Sequence, residues 1–142
     1  MKKILIIEDD IDMVEAIKVV LGEKYKVIVS FDEEDGYKKI IEEKPDLIIL
    51  DVMFGPENKT KGFDLAIRIR QNKEISYIPI LMLTAVNIKY PGFGFSPEKD
   101  REFLPVDKFI EKPFEPKELI KSVEGLLEER VSKWKEWPFK GE

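Results

Sequence analysis

A chain of 142 residues is the size of one domain with room for a substantial core, and its net charge of −5, spread over 37% charged residues of both signs, excludes a basic face for tracking a nucleic-acid backbone. Cysteine and histidine are both absent, which removes disulfides, thiolate nucleophiles, imidazole bases and nearly all transition-metal sites and leaves oxygen and lysine chemistry. No apolar stretch approaches the roughly 20 residues of a membrane-spanning helix, and Met1-Lys2-Lys3 precedes only the short run Ile4–Ile7, too little for a signal peptide, so a cytoplasmic location is expected.

The chain opens with a strand-like run at Lys3–Ile7 that leads into Glu8, Asp9 and Asp10. Met13, Val14, Ile17 and Leu21 follow at helical spacing and stop at Gly22, read as a left-handed cap. A second strand is expected at Tyr25–Val29. A second helix opens with Ser30 and Glu33 at capping-box spacing and runs through Tyr37, Ile40 and Ile41 until Pro45 ends it. Leu47–Leu50 is the third strand, leading into Asp51, and a third helix spans about Gly62 to Lys73. Pro79–Leu83 is the fourth strand, leading into Thr84, and Val106–Ile110 is the fifth, with Lys112 just beyond it. The last helix starts at Glu115 and carries Leu119, Val123, Leu126, Leu127, Val131 and Trp134 on neighbouring turns. The runs are short and largely apolar, as in strands buried on both faces, and their alternation with helices argues for right-handed crossovers and a parallel sheet. The expected fold class is α/β, doubly wound, with one domain over 1–131, an extension or tail over 132–142 and no output domain.

Parallel strands would bring the carboxyl ends of these runs side by side, where ligands of open α/β sheets bind. Asp51 is then the candidate nucleophile, since a strand-end carboxylate can attack an activated phosphoryl group and hold it as an aspartyl phosphate. A phosphoryl dianion approaching Asp51 beside Glu8 and Asp9 needs a cation, and the hard, oxygen-seeking Mg²⁺ is the ion selected by carboxylates that offer few protein ligands. Asp9 and Asp51 would ligate it directly, Glu8 mainly through water, and the Met53 carbonyl is a further candidate ligand. Lys112 supplies positive charge, while the Thr84 hydroxyl and the Ala85 backbone N–H can donate to phosphoryl oxygens. Singly, each residue has an ordinary explanation as a turn, cap or solvated charge; jointly, at matching strand ends, they meet the requirements of one site. Asp10 is assigned to capping the first helix.

The blocks Lys3-Ile-Leu-Ile-Ile-Glu-Asp-Asp10, Pro45-Asp-Leu-Ile-Ile-Leu-Asp-Val-Met53, Gly62-Phe-Asp-Leu65, Pro79-Ile-Leu-Met-Leu-Thr-Ala85 and Lys112-Pro113-Phe114 resemble the receiver domain of two-component response regulators over residues 1 to about 130. The resemblance implies that Asp51 accepts a phosphoryl group from a sensor histidine kinase, that Glu8 and Asp9 hold Mg²⁺, and that Thr84 and Lys112 sense the phosphoryl group. It also implies a cis bond before Pro113 and an aromatic switch at Phe109. The expected sheet is five-stranded and flavodoxin-like, in the order 2-1-3-4-5.

The chain also departs from that pattern. The connection between Asp51 and Gly62 is longer than usual and carries Gly55-Pro56. The stretch Val86–Pro97 contains prolines and glycines that oppose a regular helix, so the family's fourth helix is expected to be missing, shortened or displaced. A short turn at Pro97–Phe103, capped by Ser96, is compatible with this segment. Tyr90, Phe93 and Phe95 either cover the sheet there or contribute to a partner surface. Phe109 lacks the hydroxyl of a tyrosine, so packing would drive its inward rotation. Met53 and Val86 place apolar side chains where the resemblance suggests that polar groups orient the hydrolytic water. A long-lived aspartyl phosphate is therefore expected, and rapid self-dephosphorylation of the purified protein would contradict it. Trp137 and Phe139 lie beyond the last apolar stripe and could dock a partner or a second copy.

The leading expectation is a stand-alone phosphorylation-controlled switch that changes which downstream protein it binds and catalyses only its own phosphorylation and dephosphorylation. A pseudo-receiver acting as a constitutive binding module is the alternative, and the full set of site residues argues against it. A small-substrate aspartyl-phosphate hydrolase would need a second acid where Met53 stands. A flavin-binding fold would need N–H groups and hydroxyls where the first strand ends in three acids.

Overall fold

The computed structural model describes residues 1–51, 61–85 and 106–129. In chain order these form β1 (Lys3–Ile7), α1 (Ile11–Leu21), β2 (Lys26–Ser30), α2 (Glu33–Glu43), β3 (Leu47–Asp51), α3 (Lys61–Gln71), β4 (Ile80–Ala85), β5 (Lys108–Lys112) and α4 (Pro116–Glu129). All strand pairings are parallel, in the order β2-β1-β3-β4-β5, as expected for the doubly wound class. The expectations for the 52–60 connection, including Met53, for the missing or displaced fourth helix with Tyr90, Phe93 and Phe95, and for Val131, Trp134, Trp137 and Phe139 lie outside the described residues.

Side-chain alternation along the strands divides the core into two layers. Leu5, Ile7, Ile48, Leu50, Ile80 and Met82 face one side, where Ile40 of α2 and Phe63, Leu65, Ala66 and Ile69 of α3 cover them. Ile4, Ile6, Leu47, Ile49, Leu81, Leu83 and Ile110 face the other, beneath Val14, Ile17 and Leu21 of α1 and Leu119, Val123, Leu126 and Leu127 of α4. All five residues of β3 are buried, which explains its continuous apolar run in the middle of the sheet. The covering helices leave the carboxyl ends of the strands as the place where polar side chains can gather.

Local details differ from the sequence expectation: β2 runs one residue later than expected, and β4 starts at Ile80 and takes in Thr84 and Ala85. Gly22 ends α1 in the right-handed region (φ −66°, ψ −20°), with its N–H donating to the Lys18 carbonyl, so it is not a left-handed cap. The left-handed residue is Lys44 (φ 46°), at the end of α2, where the following Pro45 disfavours a further right-handed residue. Ser30 does not cap α2, because it is the last residue of β2; its hydroxyl donates to the Asp32 carbonyl and to Asp35 Oδ2, and Asp32 caps the helix by accepting from the Asp35 N–H at 2.8 Å. β5 begins two residues later than expected and includes Lys112. Asp10 does cap α1, accepting from the N–H groups of Asp12 and Met13.

Gly125 lies within α4, and a Cβ built there would meet nothing within 4 Å. Gly125→Ala is expected to raise stability by about 0.5–1 kcal/mol by restricting the unfolded chain at no steric cost. Denaturant unfolding checks this, and a lowered midpoint would contradict it. Among the described residues, no helix is long and apolar enough to cross a membrane.

Candidate phosphoryl-transfer site

The reversal of strand order between β1 and β3 makes a crevice at their carboxyl ends, the usual ligand position of such sheets. β1 delivers Glu8 and Asp9 to it, β3 ends on Asp51, β4 carries Thr84, and β5 ends on Lys112. Glu8, Asp9 and Asp51 each place a carboxylate oxygen so that all three atoms lie within 4.8 Å of one another. Lys112 Nζ donates to Asp51 Oδ2 at 3.2 Å and lies 3.7 Å from Glu8 Oε1. The parallel β4–β5 register pairs Ala85 with Lys112 and Thr84 with Glu111, which fixes the strand end bearing the hydroxyl beside the one bearing the ammonium.

Glu8, Asp51 and Thr84 are buried, whereas Asp9 is exposed at the mouth. Burial, reinforced by the neighbouring Asp51 carboxylate, pushes the Glu8 carboxyl up to about 8; Lys112 and the Asp10 N–H, which donates to Glu8 Oε2 at 3.1 Å, oppose the shift. Glu8 Oε1 and Thr84 Oγ1 are buried with no hydrogen-bond partner among the described residues. Buried polar atoms without a hydrogen bond, beside three clustered carboxylates and one ammonium, fit a hard divalent cation and an anionic group better than they fit a closed structural network.

The Glu8 carboxyl gives a pH dependence of definite sign. Without metal, the unfolded chain releases the Glu8 proton near its ordinary 4.5 while the folded protein keeps it until about 8. The folded state therefore binds more protons in that window, and stability is expected to fall between pH 4.5 and 8 by ~2–4 kcal/mol. Asp35, held below the usual carboxylate range by Ser30 and then Lys39, completes its contribution below that window. Saturating Mg²⁺ should remove most of the decline, because the cation takes the place of the proton. Urea midpoints at pH 5 and 8, with Mg²⁺ and with chelator, test this; a flat or rising metal-free profile would contradict it.

Phe109, on the layer facing α3, is half-buried and contacts Phe63 with ring centroids 6.2 Å apart and planes tilted by 45°. The peptide bond between Lys112 and Pro113 is cis, as the resemblance implies. Sequence reasoning missed a buried ion pair between Arg70 of α3 and Asp107, just before β5, with Nη2 2.8 Å from Oδ2. Nothing in their spacing of 37 residues marks them as partners.

Open α/β folds with an acid cluster and a lysine at the strand-order switch form a recognisable class of site, and the comparisons narrow it. The profile of the response regulator receiver domain matches residues 4–124. The chain is 37% identical to the alkaline phosphatase synthesis transcriptional regulatory protein PhoP of Bacillus subtilis, over 89% of this chain and 48% of that protein. It is 32% identical to the phosphate regulon transcriptional regulatory protein PhoB of Pseudomonas aeruginosa, over 89% of this chain and 52% of that one. The chain thus spans about half the length of these relatives. Among solved structures, it resembles the receiver domain of a signal transduction histidine kinase from Syntrophus aciditrophicus, with a TM-score of 0.74, 27% identity and 94% of each chain covered. The chemotaxis protein CheY4 of Vibrio cholerae matches with a TM-score of 0.72 and 26% identity, over 89% of this chain and 98% of that one. The chain belongs to the response regulator receiver domain family.

Proposed function

We propose that this receiver domain is a switch in which Asp51 is the phosphoacceptor for a sensor histidine kinase. The observation that carries the reading is the contact of Lys112 Nζ with Asp51 Oδ2, within a three-carboxylate cluster. An Asp51 oxygen forms a bond to phosphorus as the bond from phosphorus to the kinase imidazole nitrogen breaks. The electron pair leaves with that nitrogen, and the product is an aspartyl phosphate. Lys112 then pairs with a phosphoryl oxygen in place of the Asp51 carboxylate, and the Thr84 hydroxyl and Ala85 N–H donate to the others.

Glu8, Asp9 and Asp51 would hold Mg²⁺, which supplies charge neutralisation for the incoming phosphoryl group. Met53, the further ligand expected from the sequence, lies outside the described residues. Movement of Lys112 and Thr84 toward the phosphoryl group disturbs the ends of β4 and β5, and Phe109 is the aromatic side chain of β5 placed to repack against Phe63. The consequence is a change in affinity for a downstream protein or a second copy. The domain works in the cytoplasm, makes no direct contact with nucleic acid, and turns over no substrate other than its own phosphoryl group.

Intact-protein mass after incubation with Mg²⁺ and a small acyl phosphate tests the reading. One added phosphoryl group, lost when the metal is chelated, is the expected result. No addition under conditions in which a reference receiver reacts would replace this reading with a constitutive binding module.

A further inference from the structure

Lys112 acts at one end of β5, and the contacts that fix this strand lie at its other end. Among the described residues β5 is the last strand of the sheet and pairs with β4. Ile110 is its one fully buried residue, in contrast to the five of β3. A strand with so little buried surface specifies its register weakly, and a slip of one residue turns every side chain to the opposite face. β4 and β5 are parallel and joined by a crossover, so no tight hairpin turn sets their pairing. A slip in one direction would present Glu111 where Lys112 stands, bringing a carboxylate rather than an ammonium toward Asp51.

Asp107 holds both sides of the first residue of β4. Its N–H donates to the Ile80 carbonyl at 2.9 Å, and its Oδ2 accepts from the Ile80 N–H at 2.8 Å. The same Oδ2 accepts from Arg70 Nη2 at 2.8 Å, while Arg70 Nη1 donates to the carbonyls of Ser76 at 2.8 Å and Ile78 at 2.6 Å. Arg70 thereby ties the end of α3, the turn into β4 and the entry of β5 together in a site closed to water, where neither side chain exceeds 3% exposure. Charge-assisted, multiply bonded contacts of this kind have a defined geometry, which apolar packing along β5 does not supply.

We propose that Arg70 and Asp107 are positioning residues that lock β5 into the register bringing Lys112 to Asp51, from about 16 Å away along the strand. The inference rests on the proposed role of Lys112, but the register can be measured without phosphorylation. In Asp107→Ala, amide hydrogen exchange in β5 is expected to rise at least about tenfold more than in β1 and β3. Asp107→Asn keeps an oxygen for both donors and should restore β5 protection. Phosphorylation by a small acyl phosphate should slow about tenfold in Asp107→Ala, and that loss should largely vanish in a Lys112→Ala background, because both changes remove the same contribution.

Exchange rising equally in β1, β3 and β5 would overturn the proposal, as would a loss of rate that is undiminished in the Lys112→Ala background. If Asp107→Ala does not fold, Arg70→Met takes its place in the same comparison with the same expectations. A wild-type protein that takes no phosphoryl group would refute the functional reading, and the exchange measurements would still decide the positioning role.

Discussion

Asp51→Asn is expected to abolish phosphorylation, lowering the rate of phosphoryl uptake from an acyl phosphate by on the order of 10³-fold or more, while leaving the fold intact. The substitution is nearly isosteric at the end of β3, and an amide can still accept the hydrogen bond from Lys112 Nζ. It removes the anionic oxygen that would bond to phosphorus and one of the three carboxylates that would hold the cation. It also removes the charge that helps hold the Glu8 proton, so the Glu8 carboxyl should move back toward its ordinary range. Intact mass reports the first effect and titration of the Glu8 carboxyl by NMR the second. An added phosphoryl group of undiminished yield in Asp51→Asn would place the acceptor elsewhere and sink the assignment.

Arg70→Ala is expected to cost about 3–5 kcal/mol of stability, a large share of what a domain of this size holds. The variant would leave Asp107 buried without its cation and withdraw charged donors from the carbonyls of Ser76 and Ile78. Burial pushes the Arg70 guanidinium down to about 10 against the pull of Asp107, so the group still carries its charge at neutral pH. Removing one member of a buried pair is therefore far more damaging than replacing both. Arg70→Met combined with Asp107→Asn should recover much of the loss, since neutral groups of similar size need no counterion. Urea midpoints compare the variants, and a change below about 1 kcal/mol in Arg70→Ala would show that the pair is not the anchor its geometry describes.

The candidate site was legible in the sequence because its members sit at the ends of strongly patterned runs. Ile4–Ile7, Leu47–Leu50 and Ile80–Leu83 are buried on both faces, so uninterrupted apolar stretches mark them without ambiguity, and the polar residue that follows each is at a strand end by construction. Val106 extends the apolar run two residues ahead of β5, whereas the ladder starts only after Asp107 has turned its side chain to Ile80. Ser30 and Gly22 have the right residue types for caps, but cap geometry depends on where the neighbouring elements stop. β2 consumes Ser30, which leaves Asp32 to cap α2, while Gly22 closes α1 in the right-handed region and α2 ends separately on left-handed Lys44 before Pro45.

By itself the sequence determined the class of sheet, the order of its elements and the identity of the acids, the hydroxyl and the lysine, because hydrophobic period and strand-end position are local properties of the chain. Only the tertiary structure decided that Lys112 reaches Asp51 and that Glu8 is buried beside Asp51, which pushes its carboxyl up. It alone joined Arg70 to Asp107 across 37 residues. Those features depend on distance and on exclusion of water, which arise when strands far apart in the chain are laid side by side.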